Sequence, residues 1–428
     1  MRKLALCLAV VGLAGPARAQ ERPPVIRLAA LIAEARQKNP EVRAARAQAR
    51  AATSSVAPAG ALDDPMLMVE LWNAPVDFST VPVMFQLTQT VPLGGKRAAR
   101  RDLARGAEAM ARAQAEARLR DVEAGLAKAY FDLFLAERTI EVDREIERTL
   151  RSLLGAASAR IAAGRGEQSE ALRAQAELLK VESDREAAQA RRVAANAKLV
   201  ALLDRPPGSE MGTTAEPSLV PALPAFAELR DRALSGRPEL WAARAAIAQA
   251  QAHITLAEAQ RVPDLGLIAG EMHTFGMSGP GVSDFLFVGL QGNLPIFGAS
   301  KNQPQQAAAS AQLEAARADL KALENKVLAE VADAAAEVAA EKRQVELHHQ
   351  LIPVARQALH SATAAYVAGR GSFLMVLDAD RDLQMHELDL ATHMAMYEQR
   401  LAELERAVAA DLGLAQAAQS GTREEHEP

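Results

Sequence analysis

Val83-Met84-Phe85-Gln86-Leu87-Thr88-Gln89-Thr90-Val91-Pro92-Leu93-Gly94-Gly95-Lys96-Arg97 is the stretch that decides the fold. Phe85 and Leu87 alternate with Gln86, Thr88 and Thr90, the period of two of a strand with one apolar and one polar face. Pro92 ends the run, since proline has no N–H for a ladder. From Arg97 to Ala163 no proline follows, and Leu119, Leu126, Leu133 and Ile140 recur at a seven-residue step, with Val122, Ala129 and Ala136 on a companion seam. Sustained heptads of this kind predict coiled-coil packing, and their many alanines let helix axes approach closely. At 1.5 Å per residue a helix of this length reaches roughly 100 Å.

Outward from that stretch, the chain repeats itself. Asn39-Pro40-Glu41-Val42-Arg43-Ala44-Ala45-Arg46 reads like Arg237-Pro238-Glu239-Leu240-Trp241-Ala242-Ala243-Arg244. Pro65 recurs as Pro263, Val91-Pro92-Leu93-Gly94-Gly95 as Leu294-Pro295-Ile296-Phe297-Gly298, and Ala163-Gly164-Arg165-Gly166 as Ala368-Gly369-Arg370-Gly371. Landmarks kept in order at so long a period mean a duplicated half, not a solenoid. The expected organisation is a first half over 20–204, a Pro-rich linker over 205–225, a second half over 226–414 and a polar tail over 415–428. Each half reads as a short Ala-rich helix (about Leu28 to Ala57, and Phe226 to Gln260), two extended runs, and a pair of long helices. In the second half Val331, Val338, Val345 and Ile352, and then Leu383, Leu390, Tyr397 and Leu404, keep the heptad step.

The extended runs, 66–73, 83–91, 264–272 and 285–294, are near the length of a tilted membrane strand. In the last, Leu286, Val288, Leu290 and Leu294 alternate with Gly289, Gln291 and Asn293. Soluble hairpins would look alike. Four strands cannot close a barrel, however, and an open sheet edge is not tolerated in hydrocarbon, so membrane strands here require several chains to share one barrel. Phe85, Leu87, Val288 and Leu290 are the expected lipid-facing residues.

The start of the chain points to export. Met1-Arg2-Lys3, the apolar Leu4 to Leu13 and Ala17-Arg18-Ala19 follow the pattern of a cleaved signal peptide over 1–19. Removing Arg2, Lys3 and Arg18 takes the net charge from −5 to −8, with the charges interspersed, so nucleic acid is not an expected partner. The single cysteine, Cys7, lies inside the apolar run, which leaves no disulfide framework and no thiolate site.

With duplicated halves, paired strands and long heptad helices, the chain resembles the TolC-like outer-membrane efflux family over roughly Leu28 to Gly413. The landmarks are Asn39-Pro40-Glu41, the strand exit Gln89 to Arg97, and Tyr366-Val367-Ala368-Gly369 before Val376-Leu377-Asp378-Ala379. The resemblance implies a mostly α fold with a small β part. Four strands per chain would join a shared trimeric 12-stranded β-barrel, and the long antiparallel helices would form a periplasmic α-barrel girdled midway. It implies partners as well: two further copies, a periplasmic adaptor, an inner-membrane pump and outer-membrane lipid. The implied function is passive conduction out of the cell.

The same resemblance assigns the tips Gly164-Arg165-Gly166 and Gly369-Arg370-Gly371 to adaptor docking. Glycine's easy access to positive φ accounts for all four glycines at these helix reversals. The resemblance also places Asp378 and Tyr366 at a periplasmic gate, with Met375 where the family has a second acid. Solvated turn arginines and a plain core tyrosine are the bland readings of the same residues.

No catalytic residue, cofactor or metal site is expected. Gly94-Gly95-Lys96-Arg97 lacks the spacing and the Ser/Thr of a phosphate loop. His386 and His393, near Met385, Met394 and Met396, read as exposed coiled-coil residues, and Met272, His273 and Met277 as a loop that touches soft ions at most. The alternative function is a structural periplasmic coiled coil without a transport role.

Overall fold

Helix length is the first consequence of the heptads. A computed structural model of the chain describes residues 24–71, 82–164, 166–217, 219, 222–274, 284–294 and 296–413. The first half runs β1 (Val25–Ile26), α1 (Leu28–Lys38), α2 (Pro40–Ala59), β2 (Met66–Leu71), β3 (Pro82–Val91), α3 (Lys96–Ala162) and α4 (Gln168–Leu202). The second repeats that order: β4 (Thr213–Thr214), α5 (Phe226–Gly236), α6 (Pro238–Ala259), β5 (Leu265–Thr274), β6 (Phe285–Gly292), α7 (Gly298–Val367) and α8 (Phe373–Val408). The long helices match in length, 67 and 70 residues for α3 and α7, 35 and 36 for α4 and α8. The expected signal peptide and tail, together with Asn73 and Arg165, lie outside the described residues.

The single short helix expected before each strand pair is instead two helices. Asn39-Pro40 and Arg237-Pro238 are the breaks. A residue before proline is driven out of the α region, and proline itself is well placed at the first helical position. Asn39 sits at φ −55°, ψ 126° and Arg237 at φ −71°, ψ 122°. The Asn39 side chain accepts hydrogen bonds from the Glu41 and Val42 amides and donates to the Leu202 carbonyl, tying α2 to the end of α4.

The strands form one antiparallel sheet in the order β2-β3-β5-β6. None of the described helices is long and apolar enough to cross a membrane. Lys96, at the exit of β3, is buried and bonds Asp264 Oδ1 and the Val262 carbonyl, each at 2.6 Å, so the faint phosphate loop is a lock between halves. Gly106 on α3 marks a close crossing, since a Cβ there would meet Gln249 of α6 at 2.8 Å.

Halfway down α3, β1 and β4 pair in parallel. Tyr130 Oη donates to the Ile26 carbonyl and accepts from the Ala215 amide, while Glu137 accepts from the Thr214 amide and hydroxyl. Corresponding strands of the two halves are thus fastened to mid-helix. The heptad residues Leu126, Leu133, Val331, Val338, Val345, Tyr397 and Leu404 are buried in the core around this level. A second core near the helix reversals joins Val142, Ile146, Leu150, Val181, Tyr366 and Phe373 from α3, α4, α7 and α8.

Candidate functional site

Register decides which strand residues share a face. Leu87 stands opposite Leu67 and Ala269, and Ala269 opposite Val288; Phe85 stands opposite Val69, and Leu267 opposite Leu290. Directly paired residues point the same way. Phe85, Leu87, Val288 and Leu290 therefore lie on one face with Leu67, Val69 and Leu267, and all seven are exposed on the single chain. The other face carries Gln86, Thr88, Thr90 and Gln291, with Met68, Ile268 and Phe287 among them. The opposite face is thus mixed, not purely polar. Gly270 is on it because a Cβ would strike the Phe287 ring at 2.4 Å and the Phe85 carbonyl at 2.6 Å.

At the opposite end, two of the four tip glycines follow the expected reason and two do not. Gly164 (φ 69°) and Gly369 (φ 74°) are left-handed helix stops. The Gly369 amide bonds the Tyr366 carbonyl and the Arg370 amide bonds the Ala365 carbonyl, which is a Schellman closure. Gly166 and Gly371 have no positive φ. Their reason is close approach: a Cβ would lie 2.8 Å from the Ile161 amide nitrogen or 3.0 Å from that of Tyr366. Arg165 lies outside the described residues.

The two tips are bolted together through Tyr366 by two partners the sequence did not single out, Arg160 and Glu170. Arg160 packs 4.6 Å over the Tyr366 ring and donates to the Tyr366 carbonyl, while Tyr366 Oη donates to Glu170. Burial, with the Glu170 carboxylate beside it, raises the Tyr366 pKa. Tyr366 is buried toward α3 and α4. Asp378 is not with it: its exposed carboxylate lines a groove between α7 and α8 of about 580 Å³, together with Val354, Ala358, Met375 and Asp382. Arg381 lies 3.8 Å from Asp378 and also bonds Glu177 of α4.

Three carboxyls stand in helix seams where apolar residues are usual. Asp143 and Asp380 are each pushed up to about 6, by burial first and then by Asp184 and Glu387 respectively. Glu398 is fully buried, neither oxygen has a hydrogen bond, and burial followed by Glu405 pushes it up to about 8.

The histidines are not the exposed residues expected. His386 and His393 are half-buried and meet buried His348 of α7 at ring separations of 5.5 and 5.4 Å. His348, His386 and Asp389 bring ligand atoms within 4.8 Å of one another. Of the neighbouring methionines, Met394 is buried whereas Met385 and Met396 are exposed. His348 escapes a sequence reading because its partner is on another helix. The pairing is visible only once antiparallel α7 and α8 set Glu341 and His348, seven apart, against His393 and His386, also seven apart.

The family model for "Outer membrane efflux protein" matches residues 31–205 and 229–410. The chain belongs to the outer membrane efflux protein family. It is 24% identical over 299 residues to the cobalt-zinc-cadmium resistance protein CzcC of Cupriavidus metallidurans, covering 70% of each chain. Among solved structures it resembles the outer-membrane channel OprN (TM-score 0.77, 20% identity, 90% of each chain). It also resembles the MtrE outer membrane channel of Neisseria gonorrhoeae, described in its open state, with TM-score 0.76, 21% identity, and 90% and 89% of the two chains covered. As a member of this family the chain is an outer-membrane channel subunit of a tripartite efflux system. It works as a homotrimer with a periplasmic adaptor and an inner-membrane pump, and its large helical part lies in the periplasm.

Proposed function

We propose that the chain is a passive exit duct whose sheet, tips and α7–α8 groove divide the work of insertion, docking and gating. The observation that carries this is the sheet itself. Its outer strands β2 and β6 are each unpaired on one side among the described residues and run in opposite directions, and one face bears nine exposed apolar residues, Leu71 and Leu286 among them. Antiparallel alternation lets β6 of one copy pair with β2 of the next, a head-to-tail contact that closes into a ring. Three copies with four strands each then make twelve. The face with Leu87 and Val288 meets lipid, and the face with Gln86 and Thr88 lines the lumen.

On this reading the duct breaks no bonds and takes its direction from the pump. The tips Gly164 to Gly166 and Gly369 to Gly371 dock onto the adaptor, and three copies of Asp378 form the gate ring, with Tyr366 as the bolt behind it. A second element concerns cargo. CzcC is by its name a cobalt-zinc-cadmium resistance protein, and the histidine cluster between α7 and α8 favours the same class of divalent cation here.

Edge pairing gives the test. Cys7 is the only cysteine and is far in sequence from the strands. With Cys7 replaced, Val69→Cys on β2 is combined in turn with cysteine at Leu286, Val288 or Leu290 on β6. Oxidation should yield a covalent species that stops at three chains in at least one combination. An open-ended ladder, or no link in any combination, would sink the shared barrel.

A further inference from the structure

We propose that the seam between α7 and α8 holds a site for a divalent transition-metal cation of the zinc class, formed by His348, His386 and Asp389. Two imidazoles and one carboxylate are a donor set that suits zinc, cobalt or nickel and not magnesium or calcium. Each residue offers one ligand atom, all within 4.8 Å of one another. Zinc bonds of about 2.0–2.1 Å in a tetrahedron separate ligand atoms by about 3.3 Å, so the side chains need draw in by no more than about 1.5 Å.

The polar atoms themselves point to a ligand. His348 is 8% exposed, and Nδ1 of His348 and Nδ1 of His386 are both buried without a hydrogen-bond partner. Buried ring nitrogens normally have partners, and a cation supplies one to both at once. Nearby His393 is different: its Nδ1 is 2.7 Å from Glu341, so it is already engaged.

Access follows from helix spacing. Asp378, Asp382, His386, Asp389 and His393 advance along α8 in steps of three or four, so they share one face. Asp378, Asp382 and His386 line the same groove, and His386 lies roughly 20 Å along the helix from Phe373. Three protein ligands leave a fourth position for water, the arrangement of an exchangeable rather than a sealed site. Binding itself is independent of the duct reading; the site's place beside the conduit rests on it.

The test uses the full-length trimer, extracted in detergent, stripped with chelator and titrated calorimetrically with Zn²⁺ and with Mg²⁺. Wild type should take up one Zn²⁺ per chain with no matching Mg²⁺ uptake, and Co²⁺ should give visible bands of nitrogen and oxygen coordination. His386→Ala and Asp389→Asn, both at half-buried positions, should each weaken Zn²⁺ binding at least tenfold while trimers still form. His273→Ala controls for the separate grouping of Glu271, His273 and Asp284 beside the strands. No uptake by wild type, unchanged uptake in both α8 variants, or loss of uptake in His273→Ala would overturn the site. Bilayer conductance of the same preparations separates the two ideas: a trimer that conducts without binding Zn²⁺ ends the metal site and leaves the duct. One that binds Zn²⁺ without conducting does the reverse.

Discussion

Leu87 and Thr88 are neighbours in sequence and opposite in surroundings. Register sets Leu87 among Leu67, Ala269 and, one strand on, Val288, whereas Thr88 faces Met66 and Ile268 on the other side. If the first face meets lipid, Leu87→Lys should cost about 2–4 kcal/mol near the bilayer midplane. Thr88→Lys should assemble normally. Comparing trimer yield in outer-membrane fractions distinguishes the two, and equal yields would remove the lipid assignment. Glu398 makes a different kind of prediction. Its carboxyl is held protonated in the folded chain at about 8, against 4.5 for the ordinary residue. The folded state therefore binds the extra proton, and this contribution is fully present below about pH 4.5 and lost as pH rises through about 8. Glu398→Gln keeps the shape and removes the ionisation. The variant should match wild type in thermal stability near pH 5 and exceed it near pH 9, by an amount on the order of a few kcal/mol per chain. Parallel melting curves at both pH values would argue that the carboxyl ionises freely.

The helix reversals are where single residues act through whole elements. Gly164 and Gly369 hold φ near 70°, and a Cβ at either would meet nothing within 4 Å, so backbone conformation alone disfavours a side chain there. Gly164→Val or Gly369→Val should distort one tip and leave the sheet, at the far end of a helix roughly 100 Å long, able to insert. Crosslinking to the adaptor should fall sharply while trimer recovery holds, and unchanged crosslinking with unchanged export would place docking elsewhere. The elements are largely legible in the sequence because heptads and two-residue alternation are local periods. The breaks at Asn39-Pro40 and Arg237-Pro238 are legible too, although the continuous Ala-rich pattern around them masks the interruption. What is not legible is the contact between elements. Arg160 on Tyr366, Glu170 under its hydroxyl, and His348 against His386 join residues on different helices. Glu398 is within reach, for it stands four after buried Met394 and three before buried Leu401, a spacing that puts it on their apolar face.

At the scale of the assembly, three chains bring together what one chain keeps apart. Asp378 is exposed on the single chain, and its nearest cation is Arg381, 3.8 Å away and also engaged by Glu177. That shared arginine leaves the carboxylate only partly balanced. If the α7–α8 groove faces the channel axis, three such carboxylates form a ring, and a ring of one charge favours ions of the opposite sign. Met375, one turn earlier, lines the same groove as an exposed apolar residue, so no charge reinforces the ring on that side, and the second acid in the groove is Asp382, one turn later. The expected selectivity for cations is therefore modest. In planar bilayers Asp378→Asn should lower the preference for cations and weaken block by divalent ions, while conductance of the open duct persists. The change also frees Arg381 to pair with Glu177 alone, so an Asp378→Asn trimer should be no less stable than wild type. Identical ion selectivity and identical divalent block in the two channels would take Asp378 away from the axis and leave the Arg160–Tyr366–Glu170 contact as the part of the tip that has to open.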